Sequence, residues 1–183
     1  MNDETSFRKI NSIDILVAVD VKSIVNDIGK INPKLSQDCK KPTQIDDKYF
    51  YYITTQDQQY TPKDNATGKT IITGKVGNSI RWRATSLSAQ NNHQVFLYHM
   101  KALSNATYIS SSIINKLSSD IYFQKEKIDP KVAYIPFKAM YISYLETTLL
   151  SPGDVQYISY ISIYDNNNSL IGYCSHDPLI HII

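Results

Sequence analysis

The chain has 183 residues, a formal net charge of +2 and a pI near 8.4. That length suits a single domain over 1–183 with a sizeable core. So mild a charge, with lysines and arginines scattered among acids, argues against nucleic acid as a partner.

Residues 1–12 read as a polar tail. Met1-Asn2-Asp3-Glu4-Thr5-Ser6 holds no apolar run, so neither a secretory signal nor a membrane span is expected. Ile13, Ile15, Val17 and Val19 alternate with Asp14, Leu16, Ala18 and Asp20, the pattern of a mostly buried strand. Asp20 then caps a short helix over 21–28, which Gly29 is expected to stop. Residues 30–47 carry two prolines and no period, and read as a long surface loop. A β-rich stretch over 49–55 and a polar loop over 56–68 follow. Strands over 70–73 and 79–87 are expected to pair around the 74–78 turn, and a strand over 94–101 follows the Asn91-Asn92 turn.

The segment from Val76 to Ser88 holds the only tryptophan, flanked by Arg81 and Arg83. With period two, Ile80, Trp82 and Ala84 share one face and Arg81, Arg83 and Thr85 the other. An arginine–aromatic patch is one reading of this segment. The expectation adopted is a core tryptophan with solvated arginines. Residues 110–120 read equally as a short helix or a serine-rich connection. From 137 onward the chain alternates again, turns at Ser151-Pro152-Gly153-Asp154, and runs as a strand over 155–164. There Val155, Tyr157, Ser159, Ile161 and Ile163 share a face. Asp165-Asn166-Asn167-Asn168 makes a hairpin tip, and 170–173 returns. Many short strands and one helix predict an all-β fold: an antiparallel β-sandwich, jelly-roll-like, with one short N-terminal helix.

Catalytic signatures are missing: no nucleophile elbow, no phosphate-binding glycine loop and no paired histidines on a helix. His93, His99, His176 and His181 form no ligand set, and Cys39 and Cys174 have no zinc spacing, so no metal and no cofactor are expected. Whether the two cysteines pair stays open. Two polar constellations remain. Asp165 to Ser169 clusters acceptors and donors that suit calcium or vicinal sugar hydroxyls, yet the same residues are what a tight hairpin wants. His176-Asp177-Pro178 follows the same hairpin, and its plain reading is a proline-fixed corner.

The order of several blocks carries a resemblance. Ile13-Asp14-Ile15-Leu16-Val17-Ala18-Val19-Asp20, Asn32-Pro33, Pro42-Thr43, the Trp82 segment, Ser151-Pro152-Gly153 and Gly172-Tyr173-Cys174-Ser175-His176-Asp177-Pro178 stand together. In that order they resemble the bacterial inclusion-body protein family, also called PixA/AidA-like, over nearly the whole chain. One departure is His176, where the family usually has an aromatic residue before Asp-Pro. The resemblance implies a bacterial cytoplasmic protein made in bulk, self-associating into intracellular inclusions, with galactose-type sugar recognition in part of the group. The function expected is therefore a non-enzymatic, carbohydrate-binding inclusion-body protein, a lectin for galactose-type glycans. A crystalline storage or structural inclusion protein without a specific small ligand, or a secreted effector acting on a host protein, are the alternatives, and release without a classical signal peptide is left open. The sugar site is expected where the hairpin brings Asp165, Asn166 and Asn167 to His176 and Asp177, with Tyr173 or Tyr164 covering the apolar sugar face.

Overall fold

Strand β1 (Ser12–Val19) forms where alternation predicts it, with Ile13, Ile15, Val17 and Val19 buried. Asp20 then caps α1 (Val21–Ile31). One carboxylate oxygen accepts the Ser23 backbone N–H at 3.1 Å and the other accepts the Ser23 hydroxyl at 2.7 Å. The helix does not stop at Gly29. A lone glycine weakens a helix by about 1 kcal/mol and ends it only where a left-handed turn follows. The structure is a computed structural model that describes residues 12–31, 34–54, 64–88, 92–124 and 134–183. Most of the N-terminal tail, Asn91 and most of the 56–68 loop lie outside the described residues.

The other strands are β2 (Thr43–Gln44), β3 (Phe50–Ile53), β4 (Ile71–Gly74), β5 (Ser79–Ser86), β6 (His93–Ala102), β7 (Ile113–Gln124), β8 (Tyr134–Thr148), β9 (Gly153–Asp165), β10 (Leu170–His176) and β11 (Leu179–Ile182). The undecided 110–120 segment is thus mostly strand. The protein is all-β with one α-helix among the described residues, and its strands form two sheets.

The five-stranded sheet runs β3-β1-β5-β8-β7. In the six-stranded sheet β9 is central, with β6 on one side and β10 followed by β11 on the other. Beyond them, β2 lies against β10 and β4 against β11. The antiparallel expectation needs correction, because β1–β5, β10–β2 and β11–β4 are parallel. Period-two alternation reports burial and not the direction of a neighbour, so sequence could not see this. The expected hairpin between 70–73 and 79–87 is also corrected. The 74–78 turn, with Gly77 at φ 87, carries the chain from β4 in one sheet to β5 in the other.

From Gly172↔Ile163 to Ile182↔Gly153 the pairing along β9 keeps one register, so β10 and β11 are two halves of one line. Across Asp177-Pro178 the Pro178 carbonyl still accepts the Tyr157 N–H at 3.2 Å. On its far side the line changes partner there, from β2 to β4, as suits a proline with no N–H to give. One apolar core joins the sheets: Ile15, Tyr52 and Trp82 from one pack with Tyr157, Ile161 and Ile180 from the other. Trp82 is fully buried, 5.7 Å from Tyr157 between ring centroids, as its parity predicts. No helix of the described residues is long and apolar enough to cross a membrane.

Candidate functional site

Alternation along β9 sends Val155, Tyr157, Ser159, Ile161 and Ile163 into the core. The same alternation leaves Gln156, Ile158, Tyr160 and Tyr164 on the outer face. Residues opposite one another in the ladder share a face. Phe96 and Tyr173 therefore stand beside Ser162 on that outer face, and His99 and Ser175 beside Tyr160. A bulge in β6 between Leu97 and His99 adds Tyr98, so two successive rings face outward, which regular pleating forbids.

The result is a continuous aromatic strip. His99 stacks on Tyr160 with centroids 5.2 Å apart, and Tyr98 meets Tyr160 at 6.0 Å and Tyr173 edge-on at 5.5 Å. Phe96 meets Tyr164 edge-on at 5.7 Å. The Tyr98 hydroxyl donates to the Cys39 carbonyl at 2.7 Å, tying the 34–42 loop to the strip. Burial pushes the Tyr98 and Tyr173 phenols up, so both are neutral donors at physiological pH.

One step along β9 from Tyr160, past Ile158, the face becomes polar. Asp177 accepts from the Gln44 amide at 3.2 Å and, through its other oxygen, from the Gln156 amide at 3.3 Å. Three strands thus converge on one half-buried carboxylate held in a fixed plane by two amides. Each amide keeps an oxygen and a second N–H for another partner. His181 and Asp154 pair one step further along the same face. A half-exposed ring beside a fixed carboxylate and two amides is an arrangement that can cover an apolar face and hydrogen-bond neighbouring hydroxyls.

The residues expected to form one site are divided. Tyr164, Tyr173 and Asp177 share the outer face. Asp165, Asn166 and Asn167 stand at the hairpin tip, and the ladder between Tyr164 and Ile158 puts roughly 20 Å between that tip and Asp177. The hairpin extends them apart instead of folding them together. At the tip, one Asp165 oxygen accepts the backbone N–H groups of Asn167 and Ser169, both at 2.8 Å, so this carboxylate serves the turn. Among the described residues no group of three acids, histidines or cysteines is placed to hold a metal. Cys39 is exposed and Cys174 is buried, and they are separate thiols.

His176 faces the opposite way. It is 1% exposed, stacked on Phe50 at 4.4 Å, and links the sheets. Its Nδ1 lies 3.0 Å from the Tyr52 hydroxyl and its Nε2 2.9 Å from Asp47. Burial lowers its pKa, so the ring is neutral: Nε2–H donates to Asp47 and Nδ1 accepts from Tyr52. The His176 ring occupies the place where an apolar aromatic would stack, and adds two hydrogen bonds.

Sequence reasoning missed Gln44, Gln156, Tyr98, Tyr160 and His99. The alternation that turned Tyr157 inward was the available signal for Gln156 and Tyr160. The β6 bulge and the pairing of Gln44 with Ser175 had none.

A family model described as PixA, inclusion body protein, matches residues 11–182. The chain is also similar to the crystal structure of an inclusion body protein (PixA) from Burkholderia cenocepacia J2315, with a TM-score of 0.78 and 17% identity over 100% of both chains. No curated protein matches the sequence.

Proposed function

The chain belongs to the PixA inclusion body protein family, and from that premise we propose that it is a non-enzymatic, carbohydrate-binding member that self-associates into intracellular inclusions. The observation that carries the sugar reading is the junction of the aromatic strip with Asp177, Gln44 and Gln156 on one outer face. Tyr160 covers the apolar face of a galactose-type ring. Asp177 accepts from two adjacent hydroxyls, and the glutamine amides both donate and accept. An open, shallow face of this kind suits a weak single-site affinity, which assembly of many copies raises through multivalency. The two sheets are read in the same proposal as the layers of a β-sandwich, jelly-roll-like in the broad sense. One shared core between them supports that reading.

Titration calorimetry with galactose tests it on the parent, Asp177→Ala and Tyr160→Ala. Loss of a charged acceptor at Asp177 is expected to cost about 1.5–3 kcal/mol of binding, and Tyr160→Ala is expected to weaken binding through the lost apolar contact. Parental affinity in both variants would remove the outer face as the site. Absence of binding by the parent to any galactose-type glycan would remove the lectin reading and leave a storage or structural role.

A further inference from the structure

The inward residues of β6 shrink toward its end. Val95, Leu97 and Met100 are buried, and Ala102, the smallest of the inward set, stands opposite Tyr157 in the β6–β9 ladder and shares its face. Past Ala102 the chain leaves the six-stranded sheet and crosses to the other one. There Ile109 bridges to Leu149, and the Ser110 N–H donates to the Thr148 carbonyl at 2.9 Å. The Ser112 hydroxyl reaches back to the Met100 carbonyl at 3.4 Å. A crossover above a short inward side chain leaves a space between the sheets. It is a cavity of about 340 Å³ walled by Met100, Ala102, Ile109 and Thr147, with exposed Ser111 toward solvent and buried Tyr157 at its depth.

The polar groups of the cavity differ in what they already hold. The Thr147 hydroxyl donates to the Ser110 carbonyl at 2.5 Å, and the Ser110 hydroxyl accepts the Thr148 N–H at 2.9 Å. The Tyr157 hydroxyl is fully buried and has no hydrogen-bond partner among the described residues, and the same holds for the indole N–H of Trp82 beside it. An indole N–H can only donate, so even a tighter contact between the two leaves the phenolic hydrogen without an acceptor. Buried polar groups are nearly always paired, and a lone one marks a partner still to come. Burial pushes the Tyr157 phenol up, so it is a neutral donor. His99 and Lys101, the basic residues that touch the cavity, alternate toward the outer face, His99 onto Tyr160. An anion at the depth would therefore be buried without a counter-charge.

We propose that this cavity binds a small neutral molecule with an apolar body and one carbonyl-type acceptor, which takes the hydrogen of the Tyr157 hydroxyl. Met100, Ala102 and Ile109 cover the body of the ligand. The volume lies near the lower end of the roughly 300–1,000 Å³ found for small-molecule sites, which suits a single substituted ring. Tyr157 belongs to the inward face of β9, whereas the sugar reading concerns Gln156 and Tyr160 on the outward face. The two sites stand or fall separately.

The probes are acetophenone, which carries the acceptor, and ethylbenzene, which has nearly the same shape without it. Each is titrated into the millimolar range against the full chain with ¹³C-methyl-labelled methionine, and the Met100 methyl signal is followed. Acetophenone is expected to shift it saturably and to bind the Tyr157→Phe protein about five- to tenfold more weakly, the loss of one hydrogen bond. Ethylbenzene is expected to bind the Tyr157→Phe protein at least as well as the parent. Without ligand, Tyr157→Phe should melt no lower than the parent, because it removes an unpaired hydroxyl. Ala102→Leu fills the cavity and is expected to abolish the acetophenone shift. No saturable shift in the parent means a cavity that holds water only, and it overturns the proposal. So does equal acetophenone affinity in the parent and Tyr157→Phe, an ethylbenzene affinity that falls in step with it, or parental binding by Ala102→Leu. A Tyr157→Phe protein that fails to fold or melts well below the parent shows a hydroxyl already satisfied within the fold, and overturns it as well.

Discussion

Replacing His176 with phenylalanine separates the two things this ring does. Phenylalanine keeps the stack on Phe50 and most of the buried area, but it cannot accept from the Tyr52 hydroxyl or donate to Asp47. Asp47 is half-exposed and finds water. Tyr52 is fully buried, so its hydroxyl is left without its partner, at a cost of about 1–3 kcal/mol. His176→Phe is therefore expected to lose about 1–3 kcal/mol at pH 7.5. The double variant Tyr52→Phe, His176→Phe removes both partners and is expected to recover most of that loss. The parent should also lose stability as pH falls. Burial lowers the His176 pKa in the folded state, so below about 6.5 the unfolded chain binds a proton that the folded chain refuses. The contribution is complete above that value and is lost as pH drops toward the folded value. Urea unfolding followed by Trp82 fluorescence at pH 7.5 and 5.5 reads all of this. A His176→Phe protein as stable as the parent at pH 7.5, or one that keeps the parent's full pH slope, would refute the reasoning.

Other consequences are simpler to read. Trp82→Ala removes a fully buried ring between the sheets and is expected to cost about 3–5 kcal/mol in urea unfolding followed by dichroism, whereas a loss below 1 kcal/mol would contradict a core role. Asp165→Ala frees two backbone N–H groups at the hairpin tip, which calorimetric melting should register as about 0.5–2 kcal/mol, with galactose affinity unchanged. Cys39 should react with a thiol reagent in the folded protein. Cys174, buried and with its thiol pushed up to about 12, should react only on unfolding, as one fast and one slow equivalent in a colorimetric assay.

What the sequence made legible is what alternation encodes. β1, the Asp20 cap, the inward Trp82 and the inward face of β9 follow from period two and from a capping carboxylate. The parallel pairings did not: for β1–β5 period two says nothing of a neighbour's direction, and Thr43–Gln44 and Leu179–Ile182, two and four residues long, are too short to announce a partner. The expected meeting of the hairpin tip with the 176–178 corner did not follow either, for a related reason. Asp165 and Asp177 lie twelve positions apart, close in sequence and joined by a hairpin, yet an extended strand turns sequence proximity into distance. His176 and Asp177 are adjacent, and pleating sends one to the core and the other to the outer face. Gln44 reaches Asp177 only because β2 pairs with β10 across more than a hundred residues.

The most direct measurement is a two-dimensional amide spectrum of the ¹⁵N-labelled protein titrated with galactose. The account predicts saturable shifts of the Gln44 and Gln156 side-chain amides and of the backbone around Tyr160 and Asp177, with the Asn166 and Asn167 amides unmoved. Shifts confined to the Asp165–Ser169 tip, or none on the outer face at saturating sugar, would contradict it.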